Sequence, residues 1–256
     1  MAMRFTGRIA LVSAAGRGIG RESAEIIGRE GGTVIAVDND KDALESVVGA
    51  IRAGGGTAHG MPADGLEAAQ VEDVVRRVTD AHGRIDILVN AVGGSTIIAK
   101  PAAEVDELTL DDWQRMLHFN LTGTFLFCNA VAPVMKRQRS GKIINISSIA
   151  GRGLSPTSSS AYATAKGGII AFTRKLSFEL GPFGVTVNAI APSLTLSPRL
   201  RPRWDRMSEE DRARESARVP LGRVALPEDQ ARVICFLASS DADFVTGVTI
   251  DVNGGQ

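Results

Sequence analysis

The chain has 256 residues, 44% of them apolar, and its 29 basic side chains balance 29 acidic ones. That length holds one large α/β domain or two small ones, and the apolar fraction is enough for a substantial core. Zero net charge gives no reason to expect nucleic acid or an anionic membrane surface as a partner. The opening MAMRFTGRIALVS lacks the apolar run and cleavage site of a secretory leader, and no stretch approaches the roughly 18 consecutive apolar residues of a membrane span. Cys128 and Cys235 each sit in an apolar run beside Phe127 or Phe236, which suits buried thiols better than a disulfide or a metal pair. The expectation is a soluble, cytoplasmic protein.

Short apolar runs alternate with amphipathic stretches along the whole chain. Residues 8–13 read as a first strand, and 18–30 as a helix closed by Gly31-Gly32. A second strand over 33–37 ends at Asp38, and a helix over 41–53 is stopped by three glycines. A weaker strand near 57–63 precedes a helix around 66–82. Residues 85–89 form a strand interrupted by Asp86, and one long helix is expected over roughly 110–137. A strand at 142–146, a helix at 161–180 and a strand at 185–190 follow. Then come a helix over 227–238, with Pro227 at its first turn, and a last strand over 248–252. Such alternation predicts βαβ units, a parallel sheet and right-handed crossovers that lay helices on both faces. No composition break divides 1–256, so a single domain is expected. The least regular segment, 193–225, is rich in Pro and Arg and lies where a substrate lid could sit.

Ser13-Ala14-Ala15-Gly16-Arg17-Gly18-Ile19-Gly20 follows the first strand and opens a helix, the context a dinucleotide site needs. Glycines there let the backbone approach a pyrophosphate, and the helix N-terminus offers free N–H groups and a positive dipole end. Asp38 closes the second strand, where a carboxylate can accept both ribose hydroxyls of NAD and would repel a 2′-phosphate. A plain glycine-rich turn is the competing reading; correct placement together with Asp38 favours the cofactor. Arg17 could hold a 2′-phosphate, pair with Asp38 or meet a pyrophosphate oxygen. The carboxylate decides for NAD, because a phosphate dianion beside it would be very unfavourable.

Tyr162 is the only tyrosine, and Lys166 lies four positions later on a predicted helix, on the same face. A nearby ammonium favours the phenolate, which would make Tyr162 a general acid/base near neutral pH. Ser147 and Ser148 end a strand at the carboxyl edge, where open α/β sheets bind ligands. Asn120 is a poor residue for a helix interior, and Gly123 just after it suggests a local distortion that frees a carbonyl for water. His59, His82 and His118 do not have metal-ligand spacing, and no metal is expected.

With Gly18-Ile19-Gly20, Asp38, Asp64, Asn90, Gly93, Asn120, Ser148, Tyr162, Lys166, Pro192 and the tail Thr246-Gly247…Asn253-Gly254-Gly255, the chain resembles the short-chain dehydrogenase/reductase family over essentially its full length. The resemblance implies a Rossmann-type doubly wound α/β fold with a parallel sheet of about seven strands. It implies NAD(H)-dependent hydride transfer between a secondary alcohol and its ketone, and a homo-oligomer, commonly a tetramer built through the helices near 110–137 and 161–180 and the last strand. It assigns Tyr162 as proton donor and acceptor, Lys166 to its pKa and the nicotinamide ribose, Ser148 to the reacting C–O bond and Asn120 to a supporting water. Asp64, with Gly65 beside it, would meet the adenine amino group, and Asn90 would brace the central strand. Thr195 and Ser197 are candidate contacts of the nicotinamide carboxamide.

The chain also departs from the family pattern. Ser13-Ala14 stands for Thr-Gly, with Ala14 expected at negative φ. Asn90-Ala91-Val92-Gly93 stands for Asn-Asn-Ala-Gly, and Pro192-Ser193 for Pro-Gly. Ser148 precedes Tyr162 by one position more than the family spacing, which residues 154–160 must absorb. The alternatives are a 3-oxoacyl-thioester reductase, against which Asp38 argues, and a non-catalytic NAD(H) sensor, which needs no such set of catalytic residues. Arg199, Arg201, Arg203 and Arg206 could recognise an anionic substrate, or they could only form exposed ion pairs with Glu209, Glu210, Asp211 and Glu215.

Overall fold

The computed structural model describes residues 3–153, 155 and 157–256. Seven parallel strands form one sheet in the order β3-β2-β1-β4-β5-β6-β7. They are β1 (Ile9–Ser13), β2 (Thr33–Asp38), β3 (Thr57–Pro62), β4 (Ile87–Asn90), β5 (Gly141–Ile146), β6 (Val185–Pro192) and β7 (Thr249–Val252). The helices between them are α1 (Gly18–Arg29), α2 (Lys41–Ala53), α3 (Ala68–His82), α4 (Leu110–Leu117), α5 (Gly123–Gln138), α6 (Ser160–Leu180), α7 (Arg201–Asp205), α8 (Glu209–Ala217) and α9 (Pro227–Ala238). The doubly wound architecture expected from the alternation is the one observed.

The central strands are predominantly apolar and buried because both faces are covered. Along β1, Ala10 and Val12 join one core with Ile27 of α1, Val47 of α2 and Ile234 of α9. Ile9 and Leu11 point the other way, into a second core with Val74 of α3, Phe127 of α5 and Leu176 of α6. The period-2 alternation of side chains thus feeds two cores from one strand. Cys128 and Cys235 are both buried and unpaired with each other.

Three features differ from the sequence expectation. The long helix at 110–137 is two helices: residues 118–122 between α4 and α5 make one turn of π-helix. Asp86 lies outside β4, which begins at Ile87, because its buried carboxylate accepts the Ile9 N–H at 2.9 Å and pairs with Arg84 and Arg8. Ala14 has φ +48, not a negative value. A left-handed alanine costs about 1–2 kcal/mol. It is held there by the crowded turn, in which a Cβ on Gly20 would collide with the Ala14 carbonyl.

Residues 193–225 are not a bare loop. They carry α7 and α8, and their base is closed by a bridge between Thr195 and Ala225, with Leu196 N–H donating to Ala225 O at 2.8 Å. Of the segment expected to absorb the extra residue before Tyr162, Leu154 and Pro156 lie outside the described residues.

The Asp86 anchor gives a stability prediction. Asp86→Ala removes an acceptor for a buried N–H and two charge-assisted pairs, so it should destabilise by about 3 kcal/mol. Asp86→Asn keeps the acceptor and should recover part of that loss, as read by urea unfolding.

Candidate active site

The strand order reverses between β1 and β4, and the crevice at the carboxyl ends of these strands is where such sheets bind ligands. The sequence-predicted residues converge there. Gly18 opens α1 at φ +60, and Ser197 packs directly over it, its Cβ 3.4 Å from where a Gly18 Cβ would be. A cleft of roughly 800 Å³ runs from Gly16 and Gly18 past Arg21 to Pro198 and Arg201. Ile19 is partly buried against the core and serves as packing.

Asp38 at the end of β2 accepts N–H bonds from Gly16 at 2.9 Å and Asp40 at 3.0 Å. A Cβ on Gly16 would fall 2.9 Å from the Asp38 Oδ2, so only glycine lets the loop lie this close to the carboxylate. Arg17 does not meet Asp38. Its guanidinium pairs with Asp40 at 2.6 Å, the residue that also caps α2. Asp64 spends one oxygen on the Leu66 N–H at 3.0 Å, and Gly65 beside it lies against Phe127. A glycine cradle, a helix N-terminus and a fixed carboxylate together fit a dinucleotide.

The site floor is a buried polar chain. Asn90 Nδ2 donates to Asn145 Oδ1 at 2.8 Å, and Asn145 Nδ2 donates to Thr173 Oγ1 at 2.9 Å. Ser13 Oγ accepts the Ala91 N–H at 3.1 Å, so this hydroxyl joins β1 to β4 instead of facing the cleft. Asn145 and Thr173 were not singled out from the sequence. The one available signal was an asparagine inside an apolar strand, where amides are disfavoured.

Tyr162 and Lys166 are placed by α6. Ser159 caps the helix, accepting the Tyr162 N–H at 3.3 Å, and so puts Tyr162 in the first turn and Lys166 one turn on. Ser147 Oγ donates to the Lys166 carbonyl at 2.7 Å and ties α6 to the end of β5. Ser148 Oγ accepts the Ala150 N–H at 3.1 Å, donates to the Pro192 carbonyl at 3.5 Å and lies close enough to the Tyr162 phenol to favour its ionised form. The two adjacent serines therefore have different tasks: Ser147 braces the helix and Ser148 faces the reacting centre.

Lys166 is fully enclosed, and its Nζ donates to the Ile146 carbonyl at 2.9 Å. Burial lowers its pKa to about 7. The ammonium sits 5.8 Å from the Tyr162 ring centroid. Burial raises the Tyr162 pKa, and the Ser148 hydrogen bond and the Arg199 charge oppose that rise. Desolvation wins because the phenolate would be a buried anion.

Asn120 occupies the π-turn, fully buried. Its Oδ1 accepts the Gly94 N–H at 2.9 Å and its Nδ2 donates to the Gly94 carbonyl at 3.2 Å. The carbonyl expected to be free for water accepts the Thr124 hydroxyl at 3.1 Å. Gly93, at φ +153, is where these groups meet: a Cβ there would lie 2.7 Å from Lys166 Nζ and 2.9 Å from Asn120 Oδ1. Gly94 was not identified from the sequence, although the Gly93-Gly94 doublet was its visible trace. Pro192 ends β6 beside Ser148. Thr195 is buried, with its hydroxyl donating to the Ser193 carbonyl at 3.0 Å.

The model of the family described as enoyl-(acyl carrier protein) reductase matches residues 13–256. A short-chain reductase protein, NovJ, of Streptomyces niveus is 40% identical, the match covering 97% of this chain and 93% of that protein. A cyclohexanol dehydrogenase of a Rhodococcus species is 39% identical over 97% of this chain and 96% of its own length. The crystal structure of a 3-oxoacyl-[acyl-carrier protein] reductase with bound NAD from Brucella melitensis superposes with a TM-score of 0.88 at 33% identity, covering 99% of this chain and 92% of that one.

Two titrations check the electrostatics. In the cofactor-free protein, Tyr162, the only phenol, should ionise above its ordinary value of 10.0 in ultraviolet absorbance. Lys166 binds its proton more weakly folded than unfolded. Between about 7 and its ordinary 10.5 the unfolded chain therefore holds the extra proton, and stability rises with pH across that window. Below about 7 both states are protonated and the full burial cost applies. Lys166→Met should remove this slope, measured as the difference from wild type in unfolding free energy against pH.

Proposed function

The chain belongs to the short-chain dehydrogenase/reductase family, and on that footing we propose that it is an NAD(H)-dependent enzyme interconverting a secondary alcohol and its ketone. The observation that carries the reading is the convergence of Ser148, Tyr162, Lys166 and Asn120 at the crevice beside Asp38 and the glycine loop. A sensor of the cofactor would have no use for a buried lysine one turn from a partly buried phenol. No helix is long and apolar enough to cross a membrane among the described residues, in keeping with small-molecule chemistry in water.

When bound, the nicotinamide supplies or accepts the hydride at the substrate carbon. Tyr162 gives its phenolic proton to the carbonyl oxygen as the ketone is reduced, and takes the hydroxyl proton in the reverse direction. Ser148 donates a hydrogen bond to the same oxygen, where negative charge grows during hydride arrival. Lys166 Nζ lies 5.8 Å from the Tyr162 ring centroid and, when protonated, places positive charge beside the phenolate. Asn120 locks the Gly93-Gly94 link against which Lys166 is packed. Asp38 and Gly16 hold the adenosine ribose end, and the Asp38 charge disfavours a 2′-phosphate. Arg17 does not offset that charge, being engaged by Asp40. Asp64, Gly65, Pro192, Thr195 and Ser197 complete the walls of the cofactor cleft in this reading. A homotetramer is the proposed assembly, and the exposed Phe125 and Phe178 on α5 and α6 favour it as unpartnered apolar surface.

A second reading, reduction of a 3-oxoacyl thioester, is favoured by the NAD-bound relative of that name. Turnover of acyl-carrier thioesters against free secondary alcohols separates the two.

Tyr162→Phe should lower turnover by at least about 10²-fold with NADH binding intact, because general acid/base catalysis is worth 10²–10⁴-fold. A variant keeping a tenth of the wild-type rate would contradict the role. NAD(H) should be clearly preferred over NADP(H), and Asp38→Ala should narrow the ratio of kcat/KM values. Equal use of both by the wild type would overturn the cofactor assignment.

A further inference from the structure

The four arginines of 199–206 have separate fates. Arg201 lines the cofactor cleft beside Gly16 and Gly18. Arg206 turns back onto its own helix, donating to the Pro202 carbonyl at 3.0 Å. Arg203 is exposed. Arg199 alone reaches the catalytic centre: its Nη1 donates to the Gly93 carbonyl at 3.2 Å, on the link that Lys166 and Asn120 also contact.

The acids that follow do not neutralise these arginines. Glu210 and Asp211 pair with Arg214, and Glu215 pairs with Arg218. Among the described residues, no carboxylate lies within 4.0 Å of Arg199, Arg201, Arg203 or Arg206. A guanidinium has five donors in a planar fork, and one hydrogen bond to a carbonyl leaves the rest of the Arg199 fork unused within the fold.

Its seat is made by the sequence. A Cβ on Gly94 would overlap Arg199 Nη1, so only glycine at 94 admits the side chain. Gly94 is itself pinned through both its N–H and its carbonyl by Asn120. The same residue that supports Lys166 therefore sets where Arg199 lands. The charge is close enough to Tyr162 to favour its phenolate. The Tyr162 ring itself packs against a small apolar cluster that includes Ile97, Met116 and Trp113. A substrate presenting its C–O group to Tyr162 would thus meet a positioned phenol near the free cationic fork of Arg199.

We propose that Arg199, seated over Gly94, is the anion anchor of the substrate site, and that the substrate is a hydroxy or oxo carboxylate. The carboxylate would pair with a free edge of the fork through two parallel N–H bonds, and the carbon that exchanges hydride would lie next to Tyr162 and Ser148. This rests on the oxidoreductase reading above.

The test uses the full-length enzyme with NAD(H) and a panel of 2-, 3- and 4-oxo acids, each paired with its methyl ester. Wild type should favour at least one acid over its ester by tenfold or more in kcat/KM. Arg199→Ala should reduce kcat/KM for that acid by about 10- to 100-fold, the range of a charge-assisted bond. Its effect on the ester should be several-fold smaller, and the Kd for NADH, read by fluorescence, should shift less than twofold. Arg199→Lys, which keeps the charge without the planar fork, should restore only part of the lost preference for the acid. Equal losses for acid and ester would reduce Arg199 to a closure element and overturn the proposal. So would a matching loss of NADH affinity, which would make the cofactor the anion served. A wild type that oxidises neutral alcohols through Tyr162 but favours no acid would overturn the proposal and leave the oxidoreductase reading standing. Failure to transfer hydride to any compound, acid or neutral, would overturn both.

Discussion

Parallel strands can be joined only by crossovers that carry the chain back across a face of the sheet, and those crossovers keep one hand. In this protein the chain winds outward from β1 to β3, then returns to start β4 on the other side of β1. Helices from the two halves therefore diverge at the β1/β4 boundary and leave a crevice above the carboxyl ends. The glycine loop, Asp38, Ser148 and Tyr162 lie on strand ends, a helix start or a loop that opens into this crevice, while Asn120 reaches it from the π-turn and Lys166 from one turn inside α6. The fold creates the gap for topological reasons, and the sequence furnishes it.

The crevice is organised around a costly group. Lys166 is enclosed, with a backbone carbonyl as its hydrogen-bond partner, and that burial lowers its proton affinity to about 7. The surroundings are built to hold it. Ser147 ties its helix to β5, the Asn90–Asn145–Thr173 chain stiffens the floor, and Gly93 leaves no side chain to collide with Nζ. Asn120 reaches Gly94 through a π-turn, which widens the helix and turns the side chain inward. Irregular helical turns of this kind concentrate at functional sites because they sacrifice regular hydrogen bonding to aim one residue. The Thr124 hydroxyl bonding the Asn120 carbonyl offsets part of that loss.

Much of this was legible in the sequence. Alternating short apolar runs and amphipathic stretches led to the parallel sheet because buried strands and half-buried helices have different periods. The spacing of Tyr162 and Lys166 led to a shared helix face, and Asn120-x-x-Gly123 to a distorted helix. The errors came from groups whose partners are remote in sequence. Arg17 pairs with Asp40, not Asp38, because the turn after β2 sets Asp40 facing the loop while backbone N–H groups occupy Asp38. Ala14 takes a positive φ because the neighbouring backbone at Gly20 fixes the turn whatever residue fills it. The one-turn spacing of Tyr162 and Lys166 shows proximity but not burial, and burial is what raises the Tyr162 pKa in the cofactor-free protein.

The sequence by itself determined the fold class, the glycine loop, the acid at the end of the second strand and the four residues of the reacting centre. The fold class, the loop, the acid and the Tyr162–Lys166 pair depend on local periodicity and spacing, and Asn120 and Ser148 were assigned through the resemblance to the family. Only the tertiary structure decided which arginine of 199–206 approaches the reacting centre, that Ser147 braces α6 through the Lys166 carbonyl, and that the Gly93-Gly94 link seats Arg199. Those outcomes turn on contacts between segments far apart in the chain, such as Arg199 with Gly93 and Ser147 with Lys166. No spacing rule encodes such a contact, because it exists only once the crossovers have brought the strand ends to a common edge.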